Sequence, residues 1–201
     1  MKTVFIGAGG HSLSVIDCFN KDEIAGFIDA HKDGLHAGFP ILARSIYEFK
    51  DRHKYKYHIS IGDRDYREKI RNELEELGLE LVNVIAKEAI VSERTIIGKG
   101  NFIGKNVVIN AGVEIGDNNI INTGAVIEHG CSIGNNSAVA ALAVLNGDVK
   151  IGDGVIIGSN AVCNGQISIG DYATVGSGAV VTKNVEARTT VVGIPAREIA
   201  L

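Results

Sequence analysis

Stepping by six residues from Ile85, the chain meets Val91, Ile97, Ile103 and so on, through Ile121, Ile127 and Ile133, to Val175 and Val181. The phase never breaks, and only Cys163 in this series is not Ile, Val or Leu. Glycine often follows the aliphatic residue directly, as at Gly98, Gly104, Gly116, Gly134 and Gly152. Four residues after it stands a mostly small or β-branched side chain, such as Thr95, Ala125 or Ala161. Six is neither the period of an amphipathic helix nor the alternation of a half-wet strand. It fits three short strands per turn with a tight corner between each pair. The aliphatic residues then fill an axis, and Gly, Asn and Asp accept the backbone angles of the corners. A chance run of buried strands does not hold one phase so long. Residues 85–201 are therefore expected to form a left-handed parallel β-helix, with about five coils between residues 85 and 181. Such an axis has no room for Trp, and its corners account for much of the glycine: the chain has 25 Gly and no Trp.

Residues 1–84 read differently. "KTVFIGAGG" is an apolar strand running into a glycine-rich turn, and "HSLSVIDCFN" carries a helical spacing of apolar residues at Leu13, Val15, Ile16 and Phe19. "EIAGFID" and "KYHISIG" supply two more strands, a charged helix follows from about Asp65 to Leu77, and "LELVNVI" reads as a strand. This alternation predicts a small Rossmann-like α/β unit with a parallel sheet covered by helices. No Pro- or Ser-rich linker separates the two parts.

The bulk numbers narrow the function. With 201 residues, 45% hydrophobic and 22% charged, the chain has the composition of a globular protein. A net charge of −4 argues against nucleic acid as a partner, because phosphate neutralisation needs a basic surface. No apolar run is long enough to span a membrane, and MKTVFIGAGG carries no signal-peptide pattern, so the cytoplasm is the expected location. Cys18, Cys131 and Cys163 form no CxxC pair, which points to neither a disulfide framework nor a zinc site.

Two stretches carry chemistry. "GAGGHS" (residues 7–12) lies between a strand and a helix, where backbone N–H groups can hold a phosphate. Ser12 stands where a dinucleotide fingerprint has its third glycine, and Asp29 ends the next strand, where an acid often meets a ribose or base. A mononucleotide or nucleotide-sugar suits so short a unit better than a whole dinucleotide; a plain tight turn is the alternative. The second stretch is "IEHGCSIG", which contains the only histidine beyond residue 84, His129. Its place in the repeat puts it at a corner, and one coil of eighteen residues away along the same edge stand Ala111 and Gly147, with Gly165 beyond. An imidazole on a cleared edge suits a general base, since histidine changes charge near neutral pH. Cys131 falls on an inward position and reads as core, not as a nucleophile.

Taken together, "GAGGHS", "FID", "SIGDRDYR", "NTGAVIEH", "GSGAVVTKNV" and "VGIPAREI" resemble the NeuD/PglD-type sugar acetyltransferases. That resemblance spans nearly the whole chain. It implies a nucleotide-sugar-binding domain over residues 1–84 and an acetyl-CoA-binding catalytic β-helix over 85–201, assembled as a homotrimer without a metal. It implies His129 as general base, with Asn122 lining the acceptor pocket. Gly147, Gly158 and Gly176 would let backbone approach acetyl-CoA, and Gly7, Gly9, Gly10, His11, Asp29, Gly62 and Asp63 would contact the nucleotide-sugar.

Three positions depart from the family pattern. Gly130 stands where relatives place an acid after the base, Ala138 where a second histidine is common, and Leu142 where glycine is common. The expected function is acetyl transfer from acetyl-CoA to an amino group of a nucleotide-activated sugar. Two other readings stay open: O-acetylation of sialic acid, and a non-catalytic trimeric scaffold that retains sugar-nucleotide binding. A γ-carbonic-anhydrase-like β-helix would need three zinc histidines, and the repeat offers one.

Overall fold

The structure, a computed structural model, describes residues 1–199. Its N-terminal unit contains β1 (Thr3–Ile6), α1 (Gly10–Ile16), β2 (Ile24–Ile28), β3 (Leu35–His36), β4 (Phe39–Ala43), β5 (Lys56–Ile59) and α2 (Arg64–Glu76). The strands form one sheet in the order β3-β4-β2-β1-β5. The pairs around β1 and β2 are parallel, and β3 turns back antiparallel on β4, a hairpin with no clear sequence signal.

Side chains of β1 alternate across the sheet, as strand geometry requires. Val4 and Ile6 join Ile59, Ile70 and Leu74 under α2, whereas Phe5 joins Val15 and Phe27 on the other side. That second side is covered by α1 and by the β-helix itself, through Val84, Phe102 and Ile120. The expected cover of helices is thus met by a helix on one face and largely by the neighbouring prism on the other. The segment "LELVNVI" splits accordingly. Leu81 bridges to Tyr57, while β6 (Val84–Ile85) pairs with Phe102–Ile103 and already belongs to the first coil.

From β6 onward the chain winds as two-residue strands stacked on strands eighteen residues away: Val108 on Val126, Val126 on Val144, Val144 on Val162. The inward residues form one continuous core from Ile103 to Val191, with Ile121, Ile127, Leu145 and Ile157 fully buried. Every sixth residue from 100 to 178 has φ between 55° and 75°. Glycine holds six of these corners, Asn four, and Asp148, Leu142, Gln166 and Tyr172 the rest. These are the left-handed positions. The glycines directly after the aliphatic residues are not, which corrects the sequence reading that assigned them to corner angles. They are needed for close approach: a Cβ on Gly158 would lie 2.5 Å from the backbone N of Ser177 in the next coil. Side chains also tie coil to coil. The Asp117, Asn135, Asp153 and Asp171 side-chain oxygens each accept the backbone N–H of a residue one coil earlier, at 2.6–2.9 Å.

The three faces of the prism differ. One is buried under the N-terminal unit. A second shows Glu114, Ser132, Lys150 and Ser168 to solvent or partly so. The third shows Ile90, Val108, Val126, Val144, Val162 and Val180, an aliphatic stripe that nothing among the described residues covers. This third face runs between two edges. One holds residues 122–125, 140–143, 158–161 and 176–179; the other holds 110–113, 128–131, 146–149 and 164–167. The remaining edge meets α2, whose Arg67 is 1% exposed and donates to the carbonyls of Asn118 (3.2 Å) and Asn136 (2.9 Å).

Candidate active site

A cavity of about 430 Å³ opens at the carboxyl ends of β1, β2 and β5, where open α/β sheets bind ligands. Gly9, Gly10, His11, Asp29 and Gly62 all line it. Gly7 also lines it, yet its own backbone demands glycine: φ is +95°, and a Cβ would lie 2.5 Å from Ile61 Cγ1. Gly9, Gly10 and Gly62 are different. Each has ordinary φ, and a Cβ on any of them would meet nothing within 4 Å. The fold does not need these three glycines, and all three face the cavity.

Asp29 holds the rim together. Its Oδ2 accepts the Ala8 N–H at 2.7 Å, and its Oδ1 accepts those of His31 (2.9 Å) and Lys32 (3.1 Å). These backbone donors keep its carboxyl below the usual range against the opposing effect of partial burial. Asp63 does not line the cavity. It caps α2, accepting the Tyr66 N–H at 2.8 Å, and Arg67 donates to the neighbouring Gly62 carbonyl at 3.0 Å. Sequence reasoning missed Arg44 and Tyr47, which arrive on the segment after β4, and Tyr66, Lys69 and Glu73 on α2. The α2 residues were findable: with Ile70 they repeat at i, i+3, i+4 and i+7 along one helix face.

His58 is fully buried and His11 half-buried, both near Arg67. His11 lies edge-on to Phe102, with ring centroids 5.1 Å apart, and the Nδ1 of His58 meets the Val82 carbonyl at 3.0 Å. Burial pushes both imidazoles down to about 4, with Arg67 adding to the effect. They fold neutral, whereas an unfolded histidine titrates near 6.5. Their contribution is therefore present above pH 6.5 and is lost as pH falls toward 4, because the unfolded chain takes up protons that the folded one refuses. At pH 5 the loss is roughly 2 kcal/mol per histidine. The melting temperature of the α/β unit should fall between pH 7 and pH 5, and His58→Gln should flatten that dependence. A flat wild-type profile would show that these imidazoles are solvated.

His129 stands exposed on its edge. Its ring lies over the next coil: a Cβ on Gly147 would be 2.6 Å from its Cε1 and 2.8 Å from its Nε2. The cleared shelf inferred at Gly147 is thus occupied by the imidazole itself. Among the described residues the Gly147 N–H has no acceptor. Asn122, Gly158 and Gly176 lie on the other edge of the aliphatic face, so one chain does not bring them to His129. Gly158 and Gly176 also have packing reasons to be glycine, against Ser177 and Val192 of the adjoining turn.

Known proteins share this architecture. Residues 2–74 match the family described as the PglD N-terminal domain, residues 94–129 and 130–165 match the bacterial transferase hexapeptide, and residues 148–183 match the hexapeptide repeat of succinyl-transferase. Among solved structures, PerB from Caulobacter crescentus, determined with CoA and GDP-perosamine, is 30% identical with a TM-score of 0.94, over 100% of this chain and 98% of that one. The acetyltransferase domain of PglB from Neisseria gonorrhoeae is 28% identical with a TM-score of 0.94, over 98% of this chain and 99% of that one. WeeI from Acinetobacter baumannii is 29% identical with a TM-score of 0.90, over 98% and 99%. A curated relative, the uncharacterized protein L142 of Acanthamoeba polyphaga mimivirus, is 37% identical over 103 residues, 48% of this chain but only 20% of that protein's length. The α/β unit with its cavity, the hexapeptide prism and these full-length likenesses agree, and the chain belongs to the NeuD/PglD-type sugar acetyltransferases, hexapeptide-repeat acyltransferases that use acetyl-CoA.

Proposed function

We propose that this protein transfers the acetyl group of acetyl-CoA to an amino group of a nucleotide-activated sugar, with His129 as the general base. The observation that carries the acceptor class is the cavity lined by Gly9, Gly10 and Gly62, glycines that the fold does not require. Room for backbone approach to phosphate is the physical use of such positions. PerB, determined with GDP-perosamine, supports an amino-sugar nucleotide. Residues 1–84 would hold this acceptor, and residues 85–201 would hold acetyl-CoA.

In the reaction, the amine nitrogen attacks the thioester carbonyl while the imidazole takes a proton from it. The C–N bond forms, the C–S bond breaks, and the proton on the imidazolium goes to the departing thiolate. The Gly147 N–H, without an acceptor among the described residues, would stabilise the oxyanion that develops between these events. Among the described residues no helix is long and apolar enough to cross a membrane. A supply of acetyl-CoA favours the cytoplasm as the place of action. The test is a panel of amino-sugar nucleotides and free sialic acid with acetyl-CoA, read by mass spectrometry. Acetylated nucleotide-sugar is expected; acetylated sialic acid alone would overturn the acceptor class.

The same reading requires a trimer. The uncovered aliphatic stripe from Ile90 to Val180 is too long to leave in water. A closed C3 assembly through this face would set the Asn122 edge of one copy against the His129 edge of the next. It would thereby reunite residues that a single chain keeps apart. Sedimentation at micromolar concentration should give three times the 21.3 kDa chain mass. A monomer would overturn the proposal.

A further inference from the structure

Gly130 leaves His129 without an acidic neighbour on its C-terminal side, and the structure shows what fills that space. A Cβ built on Gly130 would lie 2.2 Å from Oδ1 of Asp148 and 3.3 Å from its Cγ. The carboxylate of one coil therefore occupies the position where a side chain of the coil before would begin. The register explains the coincidence. Residues 130 and 148 are eighteen apart, both stand at left-handed corners with φ of +68° and +61°, and the Asp148 N–H donates to the His129 carbonyl at 2.9 Å.

We propose that Asp148 is the positioning residue of His129, supplying from the next coil the carboxylate that position 130 lacks. The assignment rests on the reading of His129 as general base. Imidazole and carboxylate leave adjacent coils of one edge in opposite directions, the ring over Gly147 and the carboxylate over Gly130. Gly147 and Gly130 make room for them, since a Cβ at Gly147 would collide with the imidazole and one at Gly130 with the carboxylate.

Other charged groups do not compete. Glu128 faces the preceding coil, where its Oε2 accepts the Asn110 Nδ2 donor at 3.0 Å. Ala111 and Gly112 of that coil carry no charge, and Glu114 and Lys150 stand on the adjoining polar face. Among the described residues the Asp148 carboxylate accepts no hydrogen bond and forms no ion pair, with His129 or with any other group; both side chains are exposed, so a turn of either brings the free carboxylate to a ring N–H. A carboxylate brought to the ring fixes which nitrogen carries the resting proton and holds the ring's orientation.

The test compares the wild type with Asp148→Gly and Asp148→Asn. Glycine and asparagine hold ten of the fourteen left-handed corners, so both variants suit this backbone. Nitrogen-15 NMR of the histidine rings, with the His129 signal assigned by its absence in His129→Ala, reads the tautomer without any acceptor. The wild type should show one dominant tautomer at His129 and Asp148→Gly a mixture. With the acceptor that the mass-spectrometric panel identifies, Asp148→Gly should lower kcat roughly tenfold and leave KM for acetyl-CoA unchanged. Asp148→Asn, which keeps an acceptor oxygen but no charge, should fall between. An unchanged tautomer ratio, or wild-type kcat in both variants, overturns the assignment. Wild-type turnover in His129→Ala overturns the general-base reading instead, and the tautomer measurement still reports whether the two side chains pair.

Discussion

Replacing His129 with alanine should lower kcat by roughly 10²–10⁴-fold, the usual worth of a general base. At about 1.36 kcal/mol per tenfold change, this corresponds to some 2.7–5.4 kcal/mol of transition-state stabilisation. The trimer and the affinity for acetyl-CoA should survive. His129 is exposed, and its ring packs on the glycine of the next coil, not in the core. Truncation at such a surface position changes stability by about 0.5 kcal/mol or less. The effect should therefore appear in turnover and be missing from melting curves and sedimentation. Steady-state kinetics decide between two roles. Wild-type turnover in His129→Ala makes the imidazole a bystander, and a parent protein that turns over no acceptor favours the scaffold reading raised by Gly130 and Ala138.

The β-helix was legible because one physical constraint, an apolar axis, repeats at every sixth residue. That same periodicity misled on the glycines. Gly98 and Gly158 follow the axis residue and look like corner residues, yet they are small because the next coil presses on them. The corners with left-handed angles come two residues later and include Leu142 and Tyr172, which no propensity rule would place there. His129 stood out by being alone. The Asp148 proposed to position it could have been found by adding one coil of eighteen to Gly130, but only once the coil was trusted as a ruler. In the α/β unit the strand-turn-helix signal located the cavity. The hairpin of β3 and β4, and Arg44 and Tyr47 after it, depended on tertiary packing with no local pattern. Asp63 illustrates a further limit. From sequence it is an acid beside a glycine at a strand end; in the fold its carboxylate caps α2.

The two kinds of glycine in "GAGGHS" give the other large effect. Gly9→Trp should weaken nucleotide-sugar binding by roughly 100-fold or more, at about 1.4 kcal/mol per tenfold change. Gly9 precedes α1 with φ −83° and ψ −168°, angles any residue adopts, and a Cβ there meets no atom within 4 Å. The substituted side chain would enter the cavity and deny phosphate access to the backbone without disturbing the sheet. Gly7→Ala is the contrasting control. Its backbone has φ +95°, and the added carbon would lie 2.5 Å from Ile61 Cγ1. That change should destabilise the α/β unit by about 1 kcal/mol or more, through strain in a conformation L-residues rarely adopt. Neither substitution should move the unfolding of the β-helix, whose core from Ile103 to Val191 is separate. Titration calorimetry with nucleoside diphosphates and their amino-sugar conjugates reads binding, and thermal melts read stability. Undiminished binding in Gly9→Trp would mean that the loop is a turn and that the acceptor is held elsewhere.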